Sequence, residues 1–444
     1  MHTKSSGIKI RVLEFTLILL GGLAFSAVAE QGLGTLVYPP FKHTWGIHKG
    51  TEAKLDMLLG NATDFDNPQG LAVTRLHAWE DPKTEKDDDE LVAYGVNSGR
   101  DQIIYNKSMY ALDIFGQSGS GVEQFDSPAG IAADPSGDVF VCDTGNRRVV
   151  HLFNTGKKLK WEGIIGEGIL EEPFDVCLTE ADTIFVTDRA RGTIEVFSYE
   201  GEHIRSLEGL VNPTGIAVDN PKITKTRYGK RFIVVIDGDG TLIRKMSYDG
   251  KVMRTTRLSD VPNAKKFNYI ALDFYDNAWV TDSVSCVIHK FDIDLDYIAS
   301  WGEPGTGDGQ FFHPTGIAIW RRFGQIVVSE RHSAQYLWIG TDIASLETEN
   351  SENRDGEKVI KINLVVTDRS YISIDISRDG KPVRELFYRK RLKQGKNILT
   401  WDLRDDNDLP VSPGTYDISF TLEPTYSSFD YFEKSINRRV TLDG

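Results

Sequence analysis

Ser127–Trp161, SPAGIAADPSGDVFVCDTGNRRVVHLFNTGKKLKW, is a complete four-stranded unit in a single run of sequence. Pro128 to Ala132 starts a short strand. Asp134-Pro135-Ser136-Gly137 then has the residue types of a tight turn, proline fixing φ and glycine tolerating φ > 0. Asp138 to Cys142 is a second strand, Asp143-Thr144-Gly145-Asn146 a second turn and Val149 to Phe153 a third strand. Asn154-Thr155-Gly156 makes the third turn and Leu159 to Trp161 the outer strand. A meander of this size cannot bury both faces alone, so it has to stack against neighbours of its own kind.

Those neighbours are in the chain. The polar residue opening the second turn recurs as Asn97, Asp143, Asp188, Asp237, Asp282 and Glu330. The apolar residue that starts the third strand follows at one fixed offset, as Ile103, Val149, Ile194, Ile243, Ile288 and Tyr336. The inner strand gives a second column: Pro68-Gln69-Gly70-Leu71-Ala72, Pro128 to Ala132, Pro213-Thr214-Gly215-Ile216-Ala217 and Pro314-Thr315-Gly316-Ile317-Ala318. Weaker copies start at Pro173 and Phe267. Repeats of roughly 40 to 50 residues, each a small antiparallel sheet, predict a β-propeller, here of six blades.

The P-x-G-I-A start and the D-T-G-N-R-R-V turn of the second unit resemble the NHL-repeat family, over roughly residues 35 to 343. The resemblance implies a six-bladed NHL-type propeller. It leaves function open, since propellers of this family serve as sensors, scaffolds, RNA binders and, in a few cases, enzymes.

The start of the chain carries a different signal. Met1 to Ala29 has Lys4, Lys9 and Arg11, then an apolar run from Phe15 to Ala24 and Ala27-Val28-Ala29 before Glu30. This predicts a secretory signal peptide over 1–29, cleaved after Ala29, and a secreted or periplasmic protein with no transmembrane span in the mature chain. The propeller is expected over 30–343. Its last blade has no outer strand of its own, so residues 35–47, in which Phe41 to Gly46 looks like the outer strands at Leu112–Gly116 and Ile298–Gly302, are expected to close the ring.

A linker is read at 344–357 from its polar, acidic composition, and a small β-sandwich at 358–444 from the alternation in VIKINLVVT (359–367), YISIDIS (371–377) and GTYDISFTL (414–422). The runs Gly395 to Asn407 and Leu409 to Tyr416 resemble the immunoglobulin-like domain of flagellar hook-capping proteins. Asp408 stands where that family has glycine. The resemblance implies a module for attachment or assembly and a bacterial origin.

The formal charge of −14 over 444 residues argues against nucleic acid as partner, because phosphate backbones are held by clustered Lys and Arg. A protein, peptide or glycan in the envelope or outside the cell is expected instead. Cys142, Cys177 and Cys286 are an odd number; Cys142 and Cys177, in adjacent blades, read as buried hydrophobes or as a disulfide.

No cofactor is expected. The metal-dependent lyase of the NHL type carries histidine after the inner-strand proline, whereas this chain has Gln69, Ala129, Phe174, Thr214 and Thr315 there, which weighs against zinc. The aspartates of FDIDLD (291–296) and Asp237-Gly238-Asp239-Gly240 lack the spacing of a calcium loop. An acid needed in every blade reads as an acceptor of backbone N–H bonds. What varies is the inside of the second turns. Arg100, Arg147, Arg189, Arg191 and Arg331, near Tyr269, His313 and His332, form a candidate face for a carboxylate or phosphate. The sequence thus predicts a non-enzymatic binding or scaffolding protein; a metal-assisted lyase or lactonase-type hydrolase in the channel is the alternative.

Overall fold

The computed structural model describes residues 34–44, 48–60, 62–80, 91–108, 111–179, 182–219, 227 and 230–442. The leader at 1–29 lies outside them, as do most of residues 77–90 and 221–231, charged stretches that lengthen the first and fourth units between their first two strands. The chain is all-β, a six-bladed propeller followed by a β-sandwich.

Each blade is an antiparallel meander in sequence order. In the second, Pro128–Ala133, Asp138–Asp143, Arg148–Asn154 and Leu159–Ile165 follow one another outward from the axis. The inner strands of the others are Pro68–Thr74, Pro173–Leu178, Ile216–Val218, Phe267–Leu272 and Ile317–Trp320. Alternate residues of the second and third strands fill the space between neighbouring sheets. Val141, Val150 and Leu152 of the second blade pack with Tyr94, Val96 and Ile103 of the first, all at most 2% exposed.

The inner strands approach so closely that the glycine of P-x-G is sterically required. A Cβ on Gly70 would lie 2.8 Å from the Ala129 carbonyl oxygen, and one on Gly215 2.8 Å from the Tyr269 Cα. One on Gly316 would fall on the Gln69 carbonyl oxygen, which is where the sixth blade meets the first. Real Cβ atoms do not sit that close to backbone. Hydroxyls tie four of the junctions, the sixth-to-first among them: Thr144 donates to the Pro173 carbonyl at 2.7 Å, Thr187 to Thr214 at 2.7 Å, Thr281 to Thr315 at 2.6 Å and Ser329 to Gln69 at 2.8 Å. The ring is therefore closed at its axis independently of the N-terminal segment.

That segment also pairs with the last blade, but not as one strand. Leu36–Val37 pairs with Ile339 and Trp338, and Lys49–Thr51 pairs with Gln335, Ala334 and Ser333. Between them Phe41–Thr44 is a helical turn, not the outer strand expected from its likeness to Ile298–Gly302. Pro39-Pro40 is the reason: two residues without an N–H cannot extend a ladder, and Pro40 instead accepts the His43 N–H at 2.9 Å.

Two compact units result. Among the described residues, one holds 34–43, Ile298–Trp301 and 338–442; the other holds those of 44–297 and Gly302–Leu337. Within the first, two sheets enclose a core of Ile362, Leu364, Ile374, Trp401, Ile418 and Phe420, none more than 2% exposed. The expected linker at 344–357 is a correction. Ile343–Glu352 is a strand that pairs along its length with Lys358–Val366, and a turn at Asn353 to Glu357 joins them. Its polar composition is that of a sheet edge, with only Ile343 buried, and composition alone cannot separate that from a linker.

Gly316→Ala is expected to cost about 1–3 kcal/mol and to lower the melting temperature by several degrees, because both sides of the collision are backbone. Gly163→Ala, where nothing lies within 4 Å of the added carbon, is the matched control and should leave melting unchanged. Equal melting of the two variants in a thermal scan would refute the close packing of blades six and one.

Candidate functional site

The residue that opens each second turn is buried, at most 1% exposed in all six blades. Each accepts backbone N–H groups from the loop that leads into its own blade. Asn97 takes the Asp66 N–H at 2.8 Å, Asp143 that of Asp126 at 2.8 Å, and Asp188 those of Glu171 and Glu172 at 2.7 and 3.1 Å. Asp237 takes Val211 at 2.6 Å, Asp282 takes Lys265 at 2.6 Å, and Glu330 takes Phe312 at 2.7 Å. Buried carboxylates with such donors hold the chain in place and are occupied by that task.

Second partners differ from blade to blade. Arg148 donates to Asp143 at 2.8 Å and Gln335 to Glu330, while Arg244 lies 2.6 Å from Asp237 and His289 3.4 Å from Asp282. Burial works against ionisation of Asp282, yet the His289 ring and the N–H groups of Lys265, Ser285 and Lys266 outweigh it and hold its carboxyl at about 2. At Asp143 the balance falls the other way, and burial leaves the carboxyl raised despite Asp126, Asn146 and Arg148.

The arginine face is mostly neutralised. Arg100 grips Asp64 with Nε and Nη2, at 2.6 and 2.7 Å. Arg189 donates to Asn212 at 2.9 Å, pairs with Glu172 at 3.2 Å and lies 5.1 Å over the Phe174 ring. Arg191 pairs with Glu195 at 3.2 Å and Glu171 at 3.6 Å. Arg147 and Arg331 are exposed, and among the described residues neither has an ion pair. Beside Arg331, the exposed His332 ring stacks on Phe312 at 5.9 Å, His313 meets the same ring edge-on at 4.9 Å, and His332 Nδ1 lies 3.1 Å from Glu52.

Tyr269, expected on this face, is buried at 4% exposure. Its ring stacks on Phe174 at 5.3 Å and its hydroxyl donates to Gln69 at 3.0 Å, so blades one, three and five together form a stopper on the axis. Burial raises the phenol well above its ordinary value. Beyond lies a cavity of about 150 Å³ lined by all six inner strands, among them Leu71, Ile131, Ile216 and Ile317, with Asp175, Cys177 and Arg321 as its polar groups.

Asp175 occupies the position of the ring glycines. Its two oxygens accept the Val176 and Ile216 N–H groups at 3.0 and 2.9 Å, clasping blade three to blade four. Burial nevertheless pushes its carboxyl up to about 7. Asp276, whose carboxylate oxygens are buried without a hydrogen bond, is also pushed to about 7, by burial and then by Asp219. Arg321 donates to the Val218 carbonyl at 2.6 Å. Cys142, Cys177 and Cys286 are free and buried, and burial raises the first two thiols well above their ordinary value. Among the described residues no group of three or more His, Cys, Asp or Glu is placed to hold a metal ion.

Sequence reasoning missed the hydroxyl ties, the stopper and the clasp. The Ser or Thr just before the acid in Thr187-Asp188, Thr281-Asp282 and Ser329-Glu330 was the available signal for three of the ties. A polar or aromatic residue in place of a ring glycine, as at Asp175 and Tyr269, was the signal for the other two features.

Residues 125–152 match the family described as NHL repeat. The protein named brain tumor of Drosophila melanogaster is 26% identical over 164 residues, a match covering 35% of this chain and 16% of that protein. Among solved structures, a gluconolactonase from Xanthomonas campestris is similar with a TM-score of 0.45 and 15% identity, over 70% of this chain and 99% of that one. Virginiamycin B lyase from Staphylococcus aureus is similar with a TM-score of 0.40 and 14% identity, over 57% and 78%. At these identities no chemistry is carried across.

A carboxyl held near 7 in the folded chain and near its ordinary value of about 4 when unfolded binds more protons folded than unfolded between those limits. Stability from Asp175 and Asp276 is therefore full at low pH and declines as pH rises through about 7, by a few kcal/mol at most for each. Urea unfolding at pH 5 and pH 8 should show this decline in the natural chain and a smaller one in Asp175→Asn, even if that variant is less stable throughout from its lost acceptor. An identical decline in both would mean that Asp175 is ionised across the range.

Proposed function

We propose that this is an exported, non-enzymatic binding or scaffolding protein. The second-turn face of its propeller captures a protein, peptide or anionic ligand. Its C-terminal sandwich, in the manner of the immunoglobulin-like module of flagellar hook-capping proteins, attaches or assembles it.

One observation carries this reading. The acids that recur around the ring are occupied in holding loops, whereas Arg147 and Arg331 face solvent unpaired, the latter beside the Phe312–His332 stack. Arg147 also has φ 56°, at the turn position filled by Gly192 in the next blade. An arginine there carries backbone strain that glycine would relieve, so its side chain, not its backbone, accounts for its presence. Open guanidinium groups on this face, one of them beside an aromatic stack, suit carboxylate-bearing or phosphorylated partners.

A second reading, a hydrolase or lyase, draws on the cavity, where Asp175 near 7 is poised for proton transfer and Arg321 lines the same space. Zinc or calcium in stoichiometric amount in the purified protein, removable by chelation together with a hydrolytic activity, would favour it.

For the binding reading, Arg147→Gly combined with Arg331→Ala should weaken retention of an acidic peptide, such as poly-glutamate, about tenfold or more. Melting should be unchanged or raised, since glycine relieves the strained turn. Retention equal to that of the natural chain would remove this face from the proposal.

A further inference from the structure

The second compact unit has a surface that the propeller face does not explain. Residues 358–444 carry 15 Lys and Arg against 13 Asp and Glu, in a chain whose overall charge is −14. The excess is concentrated: from Leu386 to Trp401 there is no acid and there are five bases, Arg389, Lys390, Arg391, Lys393 and Lys396. They lie at the end of strand Lys381–Leu392 and across the turn into Gly395–Trp401.

The backbone is shaped around this run. Ile372 pairs with Lys390 and Ile374 with Phe387, so Tyr388 and Arg389 together oppose the single residue Ser373 and form a bulge. Arg389 has φ 49°, and its guanidinium sits between the rings of Tyr371 and Phe429, at 4.9 and 5.0 Å, with Glu423 at 3.4 Å. Held in this way, the bulge throws Tyr388 outward to 72% exposure. Lys390, Arg391, Lys393 and Lys396 are exposed; Arg391 donates to the Tyr371 hydroxyl at 3.0 Å and Lys390 lies 3.8 Å over the Phe387 ring, but none of the four has a carboxylate partner among the described residues. Strand addition is not what this edge offers. Its first half is covered by Asp406, whose N–H donates to Val383 and whose carboxylate accepts the Glu385 N–H, and bulge and lysines block the rest.

We propose that this strip, Tyr388 with its four unpaired cations, is a docking surface for an anionic lipid bilayer. Exposed cations without a carboxylate neighbour attract an anionic partner. Lysine is depleted in protein–protein interfaces, but at a bilayer it keeps its ammonium among the headgroups while its stem lies along apolar surface. An exposed tyrosine among bases is interfacial composition, its ring entering the headgroup layer. Screening over about 8 Å at physiological salt lets such a patch act locally despite the net charge of the whole chain.

The test is cosedimentation of the full chain with vesicles of phosphatidylcholine, with and without phosphatidylglycerol. Natural chain and variants share any contribution from the apolar stretch Phe15–Ala24, so their difference reports the strip. Binding should require phosphatidylglycerol, weaken about fivefold for each of Lys390→Gln, Arg391→Gln, Lys393→Gln and Lys396→Gln, and weaken several-hundredfold when all four are combined. Tyr388→Ser should lower the part of binding that survives high salt. Melting should change little, because none of the four cations is in an ion pair; if the combined variant melts lower through loss of the Arg391–Tyr371 hydrogen bond or the Lys390–Phe387 contact, Lys393→Gln, in the turn, and Lys396→Gln, at the start of the next strand, carry the measurement. Equal binding to both vesicle types, or to both proteins, overturns the proposal. So does retention on a sulfated polysaccharide without vesicle binding, which would assign the strip to a linear polyanion, or a dimer that the combined variant abolishes.

Discussion

The ring depends on one repeated hydrogen bond: a buried acceptor at the end of each second strand takes the N–H of the loop leading into that blade. At Asp188 and Asp282 it takes two such N–H groups, and each of these acids also accepts N–H from the turn that follows, Arg191 on Asp188 and Val284 and Ser285 on Asp282. Burying a carboxylate is costly unless its lone pairs are filled. Because the filling comes from backbone, which any residue supplies, loop sequences are free to vary while loop positions are not. The partner that completes each site differs accordingly from blade to blade: a guanidinium at Asp143 and Asp237, an imidazole at Asp282, an amide at Glu330.

A second constraint acts at the axis. Four blades leave no space there for a Cβ, and the other two place a larger residue, Asp175 and Tyr269. Both exceptions have an assigned task, one clasping blades three and four, the other stoppering the channel with Phe174 and Gln69. With the axis filled at that end, a partner arriving at the second-turn face meets rim residues and not the cavity. This separates the two functional readings in space as well as in chemistry.

How much of this was legible depended on whether a feature repeats. The column Asn97 to Glu330 and the P-x-G strands repeat six and four times, and they disclosed the number of blades and the part played by the acids. Features that occur once were not legible. Phe41–Thr44 resembled an outer strand in its side chains, and only the preceding prolines, read for their missing N–H groups, indicate a helical turn. Ile343–Glu352 has the composition of a linker because an edge strand facing water on most of its surface needs little apolar content; its partner Lys358–Val366, not its own sequence, makes it a strand. Arg100, Arg189 and Arg191 looked like a positive face because Asp64, Glu172 and Glu171, which neutralise them, lie in other loops that only the fold brings near.

Arg147 and Arg148 show how close an architectural side chain and a solvent-facing one can lie in such a frame. They are adjacent, yet Arg148 begins the third strand and turns inward, donating to Asp143 and to the carbonyls of Ser120 and Gln124, so that it fixes the loop before its blade. Arg147 is the last residue of the turn, in a left-handed conformation, exposed and without an ion pair among the described residues. One step along the backbone separates a group consumed by the architecture from one left to solvent. The same division recurs at Glu330 and Arg331, where the acid holds Phe312 and the arginine beyond it is free. Side chains on the inward side of this boundary report on stability, and those just outside it are available for recognition without disturbing the ring.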